Sequence, residues 1–362
     1  MTRINEHPNE RKRSYLRILF VNGALIALIS IVAAFVTNFL SETSASKDDA
    51  ELNYRPALYS RHAQDHFTFM MNRPDKEVLF DSYLELLDDE AYRALDSLFE
   101  DFNSRLIEDI QVEWEFVELF KQNPRSGARY LNQLEQWHEE TSSAYSRLMK
   151  ASYYANAGWE TRGNKTIGET SYKQISQMNE LHQLAIAELQ SLLEVQPNLF
   201  PAYLVLISME RAQSHLVPLE DLAEQINARF PGSYHVAEVV MKSYQPRWGG
   251  SLREISSYYE DHIKPYEAIN APLIRFRGYE LGERGWHAMK QRHVKRCVNL
   301  YTEAFYWGVD PHDLGIRAWC LEELNRTVQA LDDIQLSLQI EEDDWGRGQE
   351  SYYINRLKRH LD

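Results

Sequence analysis

The chain has few of the residues that interrupt or staple a fold. Its 362 positions hold 15 glycines, 12 prolines and 2 cysteines. So little Gly and Pro excludes a collagen-like or low-complexity chain. Positive charge is also scarce, with 39 Lys+Arg against 54 Asp+Glu and a net charge of −15. That balance argues against nucleic acid as a partner, because duplex affinity comes mainly from neutralising phosphates. Alternating apolar and polar runs, the mark of half-buried strands, are missing. So are G-x-S-x-G, H-E-x-x-H and a glycine-rich phosphate loop. The 12 histidines are scattered. His138-Glu139-Glu140 and Asp310-Pro311-His312-Asp313 have polar neighbours but no recognisable metal-ligand spacing. The run Glu341 to Asp344 lacks the glycine and spacing of an EF-hand loop. No catalytic, cofactor-binding or metal-binding residue, and no cofactor, is expected from these patterns.

What is present begins with a long apolar run. Residues 18–40 carry no charge. A helix of that length rises about 34 Å, enough to span a bilayer core of about 30 Å. It is too long for a signal-peptide core, and no A-x-A cleavage site follows. Arg3, Arg11, Lys12, Arg13 and Arg17 precede it, and an acidic stretch follows. The positive-inside bias predicts residues 1–17 as a cytoplasmic tail, 18–40 as a single transmembrane helix and everything beyond as external. In a Gram-negative cell that is the inner membrane, with the body in the periplasm. Residues 41–74 read as a juxtamembrane linker.

Residues 75–362 read as an all-α body. Leu84, Leu87, Ala91, Leu95, Leu98 and Phe102 recur at spacings of three and four, the stripe of a helix with one buried face. Pro197, Pro231 and Pro265 are 34 residues apart, with Tyr203, Ala237 and Ala271, then Leu206, Val240 and Ile274, at matched offsets. Thirty-four is the tetratricopeptide (TPR) period, so a TPR-like α-helical repeat of stacked helical hairpins is predicted. It divides into parts near 75–262 and 263–362.

Charge is distributed in blocks. Residues 77–118 carry fourteen acids against two bases, a net of −12. Glu85, Asp88, Asp89, Glu100 and Asp101 represent an acidic face suited to a basic protein partner. Residues 275–296 reverse the sign, with seven bases against two acids. Two glycine-bounded stretches are the candidate interaction site or structural joint. One contributes Trp159, Glu160 and Arg162, with Glu160 and Arg162 placed to pair. The other, P-R-W-G-G-S, contributes Arg247 and Trp248. There Pro246 stops a helix, Gly249 and Gly250 turn the chain, and Ser251 with Glu254 has capping-box spacing. Arg247 and Trp248 are expected to face inward and lock the joint, with Arg247 against Trp248 or Glu160.

Cys297 and Cys320 are equidistant from the W-G-V-D-P turn, so they fall at one height on two antiparallel helices. An oxidising compartment would join them if their Cα atoms came within about 7 Å. Helices more often pack 8–10 Å apart, so two separate buried thiols are expected, with the disulfide as the alternative.

The stretches G-W-E-T-R-G (Gly158–Gly163), L-L-E-V-Q-P-N-L-F-P-A-Y (Leu192–Tyr203) and P-R-W-G-G-S (Pro246–Ser251) resemble a bacterial family of TPR-like proteins catalogued as domain of unknown function 4034. The likeness covers about residues 79–261. It implies a helical-repeat fold and an envelope location, and brings no catalytic residues. The functional expectation is therefore a membrane-anchored periplasmic module that binds another protein. An immunity protein against a secreted toxin is one version, and a scaffold for envelope assembly or secretion is the other. The opposing class is an enzyme with a pocket near Trp159, Glu160, Arg162, Arg247 and Trp248.

Overall fold

The computed structural model describes residues 52–72, 76–121, 127–163, 167–213, 219–341 and 344–358. The apolar run at 18–40, the tail at 1–17 and the first part of the linker lie outside the described residues. Among those described, no helix is long and apolar enough to cross a membrane. The described residues contain sixteen α-helices and no strand. The all-α expectation is met.

The N-terminal half comprises α1 (Arg61–Met71), α2 (Lys76–Asp88), α3 (Tyr92–Glu108), α4 (Glu113–Lys121), α5 (Ala128–Thr141), α6 (Ala144–Arg162), α7 (Tyr172–Val195), α8 (Phe200–Gln213) and α9 (Leu219–Arg229). The C-terminal half comprises α10 (Tyr234–Ser243), α11 (Leu252–Tyr258), α12 (Tyr279–Lys290), α13 (Val294–Ala304), α14 (Pro311–Glu323), α15 (Thr327–Ile340) and α16 (Asp344–Lys358). Serine starts many of them. The side chains of Ser60, Ser143, Ser171, Ser233 and Ser251 accept backbone N–H bonds at the starts of α1, α6, α7, α10 and α11. Each satisfies a donor that the first helical turn leaves without a partner.

Three hairpins share one joint. α2/α3, α12/α13 and α14/α15 are each joined by three residues. The middle one, Glu90, Arg292 or Asn325, has φ of 56°, 61° or 57°. The next amide then reaches back inside the first helix: Ala91 N to Leu86 O, His293 N to Ala288 O, and Arg326 N to Leu321 O, at 2.8–2.9 Å. This left-handed C-terminal closure satisfies carbonyls that a simple helix end leaves open. The helices of a pair then fold back and bury a shared apolar face.

The 34-residue period holds for two of its three copies. Pro197 and Pro231 follow α7 and α9, and Tyr203, Ala237, Leu206 and Val240 are buried. Pro265 instead lies inside a short 3₁₀ helix, Lys264–Tyr266, and Ala271 and Ile274 fall in another, Ala271–Gly278. Ala271 is exposed. The third proline therefore matches in spacing but does not mark a repeat.

Aromatic rings fill the gaps between helices. Phe99 touches Tyr83, Phe116, Trp137 and Tyr145, with ring centroids 5.6–6.1 Å apart. Each such pair adds about 0.5–1.5 kcal/mol beyond area burial. Several charged groups are buried in the core with partners. Glu113, counted in the acidic block, is fully buried and not part of any face. Its carboxylate accepts the N–H of Tyr234 at 2.8 Å and of His235 at 3.2 Å, and the Ser233 hydroxyl. A negative charge at the positive end of α10 is electrostatically favoured. Arg317, also fully buried, makes a two-pronged pair with Asp333 at 2.8 and 2.6 Å.

Residues 52–71, read as part of the linker, belong to the folded body. Asn53 N donates to Asn299 Oδ1 at 2.8 Å, Arg317 donates to the Arg55 carbonyl at 3.0 Å, and Ser60 donates to the Tyr306 carbonyl. Tyr54 lies under the guanidinium groups of Arg317 and Arg326, 5.1 and 4.6 Å away. The linker reading rested on local sequence alone and could not register these distant partners.

Candidate functional site

The two glycine-bounded stretches meet. Gly158 lets α6 lie against α7, because a Cβ there would come within 2.3 Å of the His182 imidazole. His182 in turn bonds the Ala155 carbonyl at 3.1 Å, and burial pushes its pKa down to about 4. Trp159 packs edge-on against His182 at 5.2 Å and against Trp248 at 6.2 Å. The Arg162 guanidinium lies 5.9 Å from both indole rings and donates to the Gly163 carbonyl at 3.2 Å. Gln174, which completes a capping box with Ser171, also donates to the carbonyls of Thr161 and Arg162. The end of α6 is thereby closed.

Arg247 departs from expectation. It sits in the 3₁₀ turn Pro246–Trp248 with its side chain exposed, while Trp248 is half-buried. Arg247 Nε donates to Gln245 Oε1 at 2.7 Å, and the guanidinium lies 5.4 Å from the Trp286 ring. Glu160 is exposed and makes no ion pair among the described residues. The structure therefore joins Trp159, Arg162 and Trp248, and separates Arg247 and Glu160 from them. The turn itself is as read. Gly249 has φ of 96°, and a Cβ on Gly250 would strike the Tyr244 carbonyl at 2.3 Å. Ser251 accepts the Glu254 N–H, but its hydroxyl also donates to the Glu254 carboxylate at 2.6 Å. The cap is thus made by the serine, and the glutamate folds onto it.

Gln245 connects this joint to a polar cluster between α12 and α14. Its Nε2 donates to Tyr279 Oη at 2.8 Å and to Glu283 Oε1 at 2.6 Å. Burial pushes Glu283 up to about 7, with the Asp313 charge adding to the shift and Arg247 opposing it. Nearby, Asp310 caps α14 and accepts from Arg275 Nη2 at 2.8 Å. Burial alone would raise the Asp310 pKa, but Arg275, helped by Lys242, holds it below the usual carboxylate range. His312 faces Asp313 at 3.5 Å, and that contact raises the imidazole pKa. His312 also borders a cavity of about 540 Å³ whose apolar wall includes Met289, Ile316 and Trp319.

No family model, curated protein or solved structure matches the chain.

The acidic block becomes a surface with internal supports. Glu85, Asp88, Asp89, Glu100 and Asp101 are all exposed. Asp96, Glu100, Asp101 and Tyr145 border an open groove of about 720 Å³. Tyr145 Oη donates to Glu100 at 2.7 Å, Trp137 Nε1 to Asp96 at 2.9 Å, and Arg105 to Asp101 at 2.8 Å. These donors fix the carboxylates while leaving acceptor capacity toward solvent.

Cys297 and Cys320, on α13 and α14, form a disulfide with Cα atoms 6.4 Å apart. The expectation of separate thiols assumed the usual helix spacing; here the two Cα atoms lie within disulfide reach. The polar cluster of Gln245, Tyr279, Glu283, Tyr301 and Asp313 was not read from sequence. Its available signal was Gly282 and Gly285, spaced i,i+3 inside a helix where glycine costs about 1 kcal/mol and so marks a close neighbour.

Proposed function

We propose that the chain is a membrane-anchored TPR-like protein whose body recognises a basic protein partner outside the inner membrane. The carrying observation is the acidic groove. Asp96, Glu100 and Asp101 are held along one rim by Trp137, Tyr145 and Arg105, so a cationic ligand meets oriented carboxylates. Such preorganisation lowers the ordering cost of binding, and the surrounding negative field speeds encounter. Glu85 and Asp88 on α2, with Asp89 in the joint that follows, extend the acidic surface. The repeated three-residue joints favour a TPR-like build, in keeping with the resemblance to the domain-of-unknown-function family. The Cys297–Cys320 bond favours an oxidising compartment, as does the charge bias around residues 18–40.

Immunity against a secreted toxin and scaffolding of an envelope assembly both use such a surface, and gene neighbourhood separates them. The enzyme reading is weakened, because Arg162 and Arg247 are each committed to rings and amide or carbonyl oxygens. The test is capture of a partner by the full chain, repeated with Glu85, Asp88 and Asp89 changed to lysine. Capture should fall sharply in the variant, and in wild type as salt rises and the Debye length shrinks from about 8 to about 3 Å. Capture unchanged by both would remove the acidic surface from the proposal. A reporter active only in the cytoplasm, fused at residue 362, would refute the topology if it lit up.

A further inference from the structure

One buried carboxylate is poorly met. Glu283, on α12, is 8% exposed, and among the described residues it joins no ion pair. Glu113 is met by three donors at the start of α10, and Asp333 by a two-pronged arginine. Glu283 receives one hydrogen bond, from the neutral Gln245 amide at 2.6 Å. A buried carboxyl with so little compensation is favoured as the neutral acid, because only the ion pays heavily for leaving water.

The neighbouring elements add to this. A Cβ on Gly282, the residue before, would sit 3.2 Å from Asp313 Oδ2, so α14 brings a like charge against this stretch of α12. His312 offsets that charge in part. The phenols of Tyr279, on α12, and Tyr301, on α13, stay uncharged, since burial raises both. Arg275, in the 3₁₀ segment Ala271–Gly278, is committed to Asp310 and Tyr234, and Glu280 on α12 is paired with Arg284. Arg247, from the turn after α10, is the principal charge that favours the ionised form. The Gln245 amide stands between the two. Its Nε2 donates to Glu283 and Tyr279, and its Oε1 accepts from Arg247 Nε at 2.7 Å. One amide thus ties the Pro246–Trp248 turn to α12. The exposed guanidinium pairs with no carboxylate among the described residues and rests 5.4 Å from the Trp286 ring.

We propose that Glu283 is a proton-operated latch: neutral, it lets Gln245 hold the Pro246–Trp248 turn to α12, and ionised, it draws Arg247 off Gln245 and Trp286 and frees the turn. With the turn freed and water admitted, Glu283 loses its proton near its ordinary 4.5, and with the turn held, near 7. The latch is therefore tightest below pH 4.5, weakens as pH rises, and is weakest above pH 7. Between pH 6 and pH 8 the freed fraction should rise about tenfold.

The test is trypsin cleavage after Arg247 in the full chain, followed by mass spectrometry at about pH 6 and about pH 8. Glu283→Gln keeps an oxygen for Gln245 Nε2 and removes the titration, so it serves as the reference that cancels the protease's own pH dependence. The wild-type rate divided by the variant rate should rise about tenfold between the two pH values. If Glu283→Gln does not fold, as judged by circular dichroism, cleavage after exposed Arg129 on α5 of the wild-type chain is the reference, with the same rise expected. The carbon-13 side-chain resonance of Glu283 should titrate near pH 7 in wild type. A rate ratio that stays flat overturns the proposal, and so does a Glu283 carboxyl that titrates at its ordinary 4.5.

Discussion

Reduction of the Cys297–Cys320 bond should destabilise the body by a calculable amount. The bond closes a loop across 23 residues of sequence. Loop-closure entropy for that length is about 11 cal/mol/K, or about 3 kcal/mol at 25 °C, removed from the unfolded chain while the bond persists. With a urea m-value of about 3 kcal/mol/M, the midpoint should fall by about 1 M on reduction. The same chain serves for both states, so no substituted side chain confuses the comparison. Tryptophan fluorescence through a urea series, with and without reductant, gives the two curves. Mass analysis after alkylation, without prior reduction, reports the thiol state in protein taken directly from cells. Superimposed curves would refute the stabilisation. Two alkylated cysteines in freshly extracted protein would refute both the bond and the oxidising compartment argued from it.

Two further outcomes concern the joint at Trp159. Trp248→Ala removes a half-buried ring from Trp159 and Arg162 and should cost about 2 kcal/mol, below the 3–5 kcal/mol of a fully buried aromatic, whereas exposed Arg247→Ala should stay within about 0.5 kcal/mol; the reverse order in urea unfolding would show the joint is locked by the arginine. His182 has a folded pKa depressed to about 4 against an ordinary 6.5, so the neutral form stabilises the fold above pH 6.5, and that stability is lost as pH falls toward 4. The loss should reach about 3 kcal/mol, and a His182→Leu variant with the same pH slope as wild type would refute it.

The sequence was most legible where a residue type acts locally. Proline and serine marked helix stops and starts at Pro197, Pro231, Pro246 and Ser251, because φ restriction and capping need no distant partner. The glycines of the 246–251 turn were legible for the same reason. Legibility failed where meaning depends on what lies across the fold. Glu113 looks like one acid among fourteen, yet α10, more than a hundred residues on, turns its carboxylate into a buried cap. Pro265 repeats the spacing of Pro197 and Pro231, but the chain around it coils as 3₁₀ helix. Arg247 and Trp248 are adjacent in sequence and diverge in space, one to Trp286 and one to Trp159. The cysteine separation gave the height of the two thiols correctly and the gap between helices incorrectly.

Residues 53–60 dock onto the last hairpins, tying the start of the described helical body to its end. An open solenoid stacks only neighbours in sequence, so it can fold and fray one unit at a time. Here Asn53 reaches Asn299 across 246 positions, and the Arg55 carbonyl reaches Arg317 across 262. During synthesis residues 53–60 emerge long before their partners exist. Their contacts close only after Arg317 leaves the ribosome, which makes completion of the body slow and late, as folding with many distant contacts tends to be. A nascent chain lacking α14 and α15 has nowhere to seat Tyr54. The seat of residues 53–60 is therefore complete only once α13, α14 and the joint after α14 are present.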